Sequence, residues 1–252
     1  MKDKKVKILN LILPIASILA IIVVWIVAYY AVGNDSIMPS FSETLVTFFS
    51  LFAKGEFYLA LGGTLLRTII SFVVSFVLAF GLALLSYKVW WVKKVLSPIV
   101  SIVRVLPTIA VVLLLLVWTN SFIAPIIVAL LVVFPTTYTG VESVLSSIDE
   151  KQLEMCKVFG VDEKTVLKKV KIPQILPSTI NIAGTALSLT LKLMVAAEVL
   201  SYTTDSIGNY LQLAKLYDNT VIMMALVLVT VVIGVVIEMV FSLISKKVGK
   251  WQ

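Results

Sequence analysis

"QLEMCKVFGVDEKTVLKKVKIPQILP", residues 152–177, interrupts a chain that is built mostly of apolar runs. Its first seventeen positions carry six acidic or basic side chains, whereas the 252-residue chain as a whole is 60% hydrophobic and 14% charged, with a mean hydropathy of +1.07. That composition lies far outside the range of a soluble domain and marks an integral membrane protein. Residues 152–177 therefore read as a water-facing segment between membrane spans, and the spans can be laid off on either side of it.

A helix rises about 1.5 Å per residue through a hydrocarbon core of about 30 Å, so a span needs about 20 apolar residues. On the N-terminal side the runs at 8–32 and 57–87 qualify, the second with one charge, Arg67. The uncharged run at 105–141 is too long for one crossing. Thr119, Asn120 and Ser121, followed by Pro125, place a turn in it, which predicts spans at about 95–118 and 122–141. Beyond the charged segment, spans are predicted at about 178–200 and 220–244, for six in a single all-α transmembrane domain covering residues 1–252.

Lysine placement sets the orientation, because basic residues are retained on the cytoplasmic side during insertion. Lys2, Lys4, Lys5 and Lys7 precede span one, and Lys88, Lys93 and Lys94 join spans two and three. Lys151, Lys157, Lys164, Lys168, Lys169 and Lys171 join spans four and five, and Lys246, Lys247 and Lys250 follow span six. Sixteen of the 21 basic residues thus fall on one side, against Lys54 and Lys215 on the other, so both termini are expected in the cytoplasm. The net charge of +7 follows from this topology and gives no support to a nucleic-acid partner. The first apolar run is longer than a signal-peptide core and lacks a small-residue cleavage site, so a retained anchor is expected. With no histidine and one cysteine, Cys156, neither a disulfide framework nor a zinc or haem site is predicted.

The charged segment has the pattern of two short amphipathic helices at about 149–173. Asp149 caps the first, with Leu153, Cys156 and Val158 on its apolar side, and Gly160 ends it. Asp162 caps the second, and Pro173 is expected to stop it. Such helices can lie among lipid headgroups, lysines on anionic lipid, or form a knob that docks into a soluble partner.

"EMCKVFG" at 154–160, with "IP" ending at Pro173 and "LP" at Pro177, resembles the EAA loop of ABC importer permeases. "TLLRTIISF" at 64–72, "VRVLPTIAVVLLLLVW" at 103–118 and "VAAEVLSYTTDSIGNYL" at 195–211 are similar to the sulfonate, taurine and nitrate branch of that family. The resemblance covers about residues 38–247. It implies a type I importer permease in a bacterial cytoplasmic membrane, working as a homodimer with two cytoplasmic ATPase subunits and an extracytoplasmic solute-binding protein. It implies no cofactor and no enzymatic site in this chain, with ATP and Mg handled by the ATPase. Glu154, Met155, Cys156, Gly160, Pro173 and Pro177 are the implied ATPase-coupling residues. Met155 and Cys156 depart from the alanines of the pattern. Trp118 is followed by Thr119 and Asn120 where a glycine is usual, and Leu191-Lys192 stands where an aromatic is expected.

A translocation path is sought among intramembrane polar residues. Thr64, Arg67, Thr68, Ser71 and Ser75 share one helical face in span two, and Asn181, Gly184, Thr185, Ser188 and Lys192 share one in span five. Small polar faces of this kind also serve helix packing. A cation in mid-membrane costs about 2.5–3.5 kcal/mol on insertion scales and faces a cavity or a partner. Arg67 and Lys192 are therefore the stronger candidates, with Ser71, Thr185, Ser188 and Glu198, and by helix rise the two cations could meet at similar depth. Glu198 can gate the outer end, pair with Arg67, or pair with Lys192. Arg104 can snorkel to the cytoplasm, and Pro98 and Pro107 suggest a bent or re-entrant start to span three.

The function expected from the resemblance is import of a small anion such as an aliphatic sulfonate, taurine or nitrate. A thiamine-precursor-like or other small solute is the alternative cargo. A stand-alone secondary transporter or channel is a further class, although no inverted repeat is evident.

Overall fold

The computed structural model describes residues 2–249, without the side chains of 2–12 and 14, so of the charge count Lys250 and the side chains of Lys2, Lys4, Lys5 and Lys7 lie outside what is described. Every regular element among the described residues is helical, as lipid requires of an open chain whose backbone groups must pair internally. In order they are α1 (Lys2–Val32), α2 (Phe41–Leu51), α3 (Gly55–Lys88), α4 (Trp90–Val105), α5 (Thr108–Trp118), α6 (Ile123–Ser146), α7 (Glu150–Val158), α8 (Glu163–Val166), a π-helical turn (Leu167–Lys171), α9 (Ile172–Ser201), α10 (Ile207–Leu216) and α11 (Thr220–Gly249).

Five helices are long and apolar enough to cross a membrane, and α4 with α5 makes a sixth span only if the two are taken together, since they are bent by 94°. Lysine placement favours six. Were α4–α5 to re-enter without crossing, α6 would start from the side of Lys88, Lys93 and Lys94, and the lysines at 151–171 would emerge on the opposite face. Six crossings keep them together. The bend sits at Leu106, which is extended (φ −62°, ψ 130°) because the Pro107 ring disfavours a helical residue before it. Pro98 lies within α4 without ending it.

The chain divides into two compact units, residues 1–58 with 210–229, and residues 59–209 with 230–252. In the first, Trp25 of α1 donates from Nε1 to the Pro39 carbonyl at 3.1 Å and meets Phe41 edge-on, while Thr220 Oγ1 donates to the Ser36 carbonyl. Two helices there and at its border escape a hydropathy reading because they are too short to span. The start of α2 was legible: Ser40, after Pro39, accepts from the Glu43 amide at 3.2 Å, and Ser-x-x-Glu is a capping-box spacing. Ser206 likewise accepts from the Asn209 amide at the start of α10 (2.9 Å).

In the second unit α6 packs chiefly against α9. Ala79, Ala83, Val100, Tyr138, Val141 and Leu145 form one buried cluster, and Val112, Leu115, Ala124, Val128 and Ala197 another. Small residues let backbones approach: a Cβ on Gly184 would overlap the Phe241 side chain. Pro173 does not end a helix, contrary to the sequence expectation. Helix runs from Glu163 to Ser201, and the π turn at 167–171 immediately precedes Pro173. Its wider i→i+5 spacing relieves the clash and the missing N–H that a proline brings to an α-helix.

The six-crossing arrangement that lysine placement favours predicts sidedness. In a Cys156→Ser background, Lys215→Cys should react with an impermeant thiol reagent in intact cells and Lys151→Cys should react only after lysis. External labelling of Lys151→Cys would overturn the six-span topology.

Candidate functional site

The water-facing segment is locally over-determined. Asp149 accepts from the Lys151 amide at 3.0 Å and starts α7. At the other end Val161 N–H bonds the Cys156 carbonyl (3.0 Å) and Gly160 N–H the Lys157 carbonyl (3.1 Å), with Gly160 at φ +66°. This is a Schellman stop, and the left-handed residue it needs is the glycine. Asp162 then accepts from the Thr165 amide at 2.9 Å, and the Thr165 side chain and amide together hold its carboxyl below the usual aspartate range. Gln174 Nε2 donates to Gln152 Oε1 at 2.6 Å, tying α7 to the first turn of α9, and Ser245 Oγ donates to the Pro177 carbonyl at 2.8 Å.

Within this frame Cys156 is the buried residue of α7. Glu154 is exposed, as are Met155, Val158 and Phe159, the last two at 84% and 77%. Val158 therefore does not share the inner side with Cys156, as the apolar pattern had suggested. Two residues on an α-helix are about 200° apart, so only one of the pair can face inward.

The polar face of span two is buried, and its centre is an ion pair. Arg67 Nε donates to Glu198 Oε1 at 2.8 Å, with side-chain exposures of 4% and 0%. Thr64 Oγ1 donates to Glu198 Oε2 (2.8 Å) and accepts from the Ile207 amide (2.9 Å), while Arg67 Nη2 donates to the Asp205 carbonyl (3.0 Å). The guanidinium also lies 5.3 Å from the centre of the Phe122 ring. Thr203 Oγ1 donates to the Ser121 carbonyl at 2.6 Å, so α3, the α5–α6 turn and the α9–α10 turn all meet here. Tyr202 and Asp205 take left-handed φ values of 51° and 48° to make that turn. A Cβ on Gly63 would overlap the Asp205 carbonyl oxygen, and one on Gly208 would overlap Glu198. The backbone participants Asp205 and Ile207 carry no sequence signal, but Gly63 and Gly208 mark the two close approaches.

Glu198 is thus held by Arg67 and not by Lys192. Lys192 lies six residues earlier on α9, about 9 Å along the axis and about 120° around it, so the two cations are not at a common depth. Ser71 donates to the Ile126 carbonyl at 3.0 Å and is buried, as is Ser188. The outward face of α9 carries Asn181, Thr185, Lys192 and Ala196, all exposed. Thr185 and Asn181 line a recess of about 250 Å³ with Thr136, Thr137 and Gly140 of α6. Among the described residues Lys192 has no ion-pair partner. Arg104, by contrast, donates from Nη2 to Thr139 Oγ1 at 2.9 Å.

Residues 75–250 match the family of binding-protein-dependent transport system inner membrane components. The chain belongs to that family. Its members are permease subunits of ABC transporters, not enzymes, and this chain is an ABC importer permease with the type I fold and several membrane crossings. Over 234 residues the permease is 22% identical to a Bacillus subtilis (strain 168) protein assigned as the aliphatic sulfonates transport permease SsuC, covering 92% of this chain and 84% of that one. Among solved structures it superposes on the MetNI methionine ABC transporter in its inward-facing conformation, with TM-score 0.64 and 20% identity over 75% of this chain and 94% of the other. A bacterial alginate ABC transporter matches with TM-score 0.64 and 18% identity, covering 97% and 98%.

Removing one partner of a buried pair leaves the other uncompensated, at a cost of about 3–5 kcal/mol. Arg67→Met should therefore lower the thermal unfolding midpoint of the purified permease markedly, and Arg67→Met with Glu198→Gln should recover part of the loss. A double variant no more stable than the single one would show that Arg67 and Glu198 are not coupled.

Proposed function

We propose that two copies of the permease enclose a shared path for a small anion, such as an aliphatic sulfonate, taurine or nitrate, and that α7 and α8 dock on cytoplasmic ATPase subunits. An extracytoplasmic binding protein would deliver the anion to the outer face. ATP and Mg stay in the ATPase.

The coupling part rests on the exposed apolar surface of α7. Met155, Val158 and Phe159 project from a helix whose start, stop and inner face are all fixed, beside Glu154. A rigid, partly apolar knob on the cytoplasmic side is suited to transmit a push. The continuous helix from α8 through the π turn into α9 would carry that push into the membrane, exposing the path alternately to each side. Pro173 and Pro177 sit where this lever enters the span, and Cys156 anchors the knob from beneath.

The anion part rests on Lys192. It stands with Asn181 and Thr185 on a face of α9 that no other described residue of the subunit covers, and an uncompensated cation in a span calls for a counter-charge. Two copies related by a twofold axis would place two such lysines on the path. The similarity to the sulfonate permease agrees with this reading.

Two measurements test the proposal. Glu154→Lys and Phe159→Asp change exposed residues, so insertion and stability should stay within about 0.5 kcal/mol of wild type, while substrate-stimulated ATP hydrolysis of the reconstituted complex should fall at least about tenfold, the equivalent of about 1.4 kcal/mol of lost coupling. Full stimulation in both would remove the docking role. Lys192→Met should reduce uptake of the anion at least about tenfold with assembly and basal hydrolysis unchanged, and Lys192→Arg should retain uptake. Normal anion uptake by Lys192→Met would sink the anion reading.

A further inference from the structure

Where α3 ends and α4 begins, the second unit holds a cleft of about 310 Å³ lined by Tyr87, Lys88, Trp90, Lys93 and Glu142, with Ser86 at its floor. Its electrostatics are one-sided. Lys93 Nζ contacts Glu142 Oε1 at 2.7 Å, so the one acid of the lining is paired with a lysine of the lining. Lys88 is exposed and unpaired among the described residues. Lys94 stacks over the Trp90 ring at 4.7 Å, and Lys171 approaches the Tyr87 ring at 5.9 Å. Two lysines thus line the cleft with one acid, and two more sit on aromatic rings of its lining.

The position fixes what anion can reach the cleft. It lies at the cytoplasmic end of α3, where the apolar span gives way to lysine, which is the level of the inner-leaflet headgroups. Trp90 and Trp91 are 69% and 58% exposed, and the apolar side chains of Leu85 and Val95 are exposed beside them. Aromatic residues of this kind belong at the headgroup level. A volume at the low end of small-molecule pockets, about 300–1,000 Å³, admits a phosphate diester and its polar substituent but not acyl chains, and the exposed apolar flank offers those chains a place outside it. Basic recesses between membrane helices on the cytoplasmic side have the chemistry to hold acidic phospholipid headgroups.

We propose that the α3–α4 elbow is a binding site for one anionic phospholipid of the inner leaflet. Its phosphate sits between Lys88 and Lys93, Trp90 covers the glycerol region, and Glu142 holds Lys93 in place. The site is separate from the α9 face and from the α7 knob, so it stands whatever the transported solute is.

Native mass spectrometry of the full chain in detergent tests it. Palmitoyl-oleoyl phosphatidylglycerol should be retained in preference to phosphatidylcholine of the same chains. Lys88→Ala with Lys93→Ala should weaken retention at least about tenfold, while the charge-matched Lys246→Ala with Lys247→Ala stays within about twofold of wild type. Lys88→Glu alone, at an exposed position, should show the same direction should the double variant fold poorly. Equal loss in the Lys246 and Lys247 control would mean diffuse electrostatics and overturn the site. So would equal retention of phosphatidylcholine, or displacement of phosphatidylglycerol by millimolar inorganic phosphate, which would mark a site for free oxyanions instead.

Discussion

The Arg67–Glu198 pair is the interaction on which the junction of α3, α9 and the α9–α10 turn depends. An unpaired charge at that burial would carry a desolvation cost of several kcal/mol, and both carboxylate oxygens and two guanidinium nitrogens are engaged: Arg67 Nε on Oε1 and Thr64 on Oε2 of Glu198, and Arg67 Nη2 on the Asp205 carbonyl. To complete that set the α9–α10 turn must fold back far enough to bring Asp205 to Arg67, which is why two non-glycine residues there accept left-handed backbone conformations. The helix contacts around it, with Gly63 and Gly208 stripped of side chains, follow from the same requirement.

The α7–α8 segment is held by a different principle. There is no buried charge in α7 and α8; caps at Asp149 and Asp162, a glycine stop and one buried cysteine define the knob, leaving its apolar residues outward. The outer junction is rigid because its polar atoms have nowhere else to bond. The knob keeps its shape while its surface stays free, the combination that the proposed docking role calls for. Helix runs without a break from α8 through the π turn at 167–171 into α9.

Lys192 acquires its meaning from this arrangement. With Glu198 fully engaged, the acid nearest to it in the same helix is unavailable, and the lysine is left on a face with Asn181 and Thr185. The buried hydroxyls tell the opposite story. Ser71 bonds a carbonyl of α6 and Ser188 lies against Gly234, so these small polar residues join helices within the subunit. The same residue types, on neighbouring positions of the same helices, divide between buried packing and the exposed α9 face according to which way they point.

Sequence alone determined the class and the apolar runs able to cross a membrane, and lysine placement set the orientation expected of them. Hydropathy over about 20 residues and the sidedness of lysine are properties of composition along the chain, set by transfer from water to lipid and by insertion, and need no tertiary contact. The knob was legible for a similar reason, because caps and the glycine stop are local chemistry between residues two to five apart. What the sequence could not decide was pairing across the fold. Glu198 had two cations within plausible reach, and only the register of α3 against α9 shows that Arg67 takes it. Helical continuity through Pro173 was equally out of reach, since a proline ends a regular α-helix and the π turn that absorbs it shows only in the backbone. Which hydroxyls are buried was likewise settled by packing, because periodicity places Ser71, Ser188 and Thr185 on faces but leaves open which faces meet.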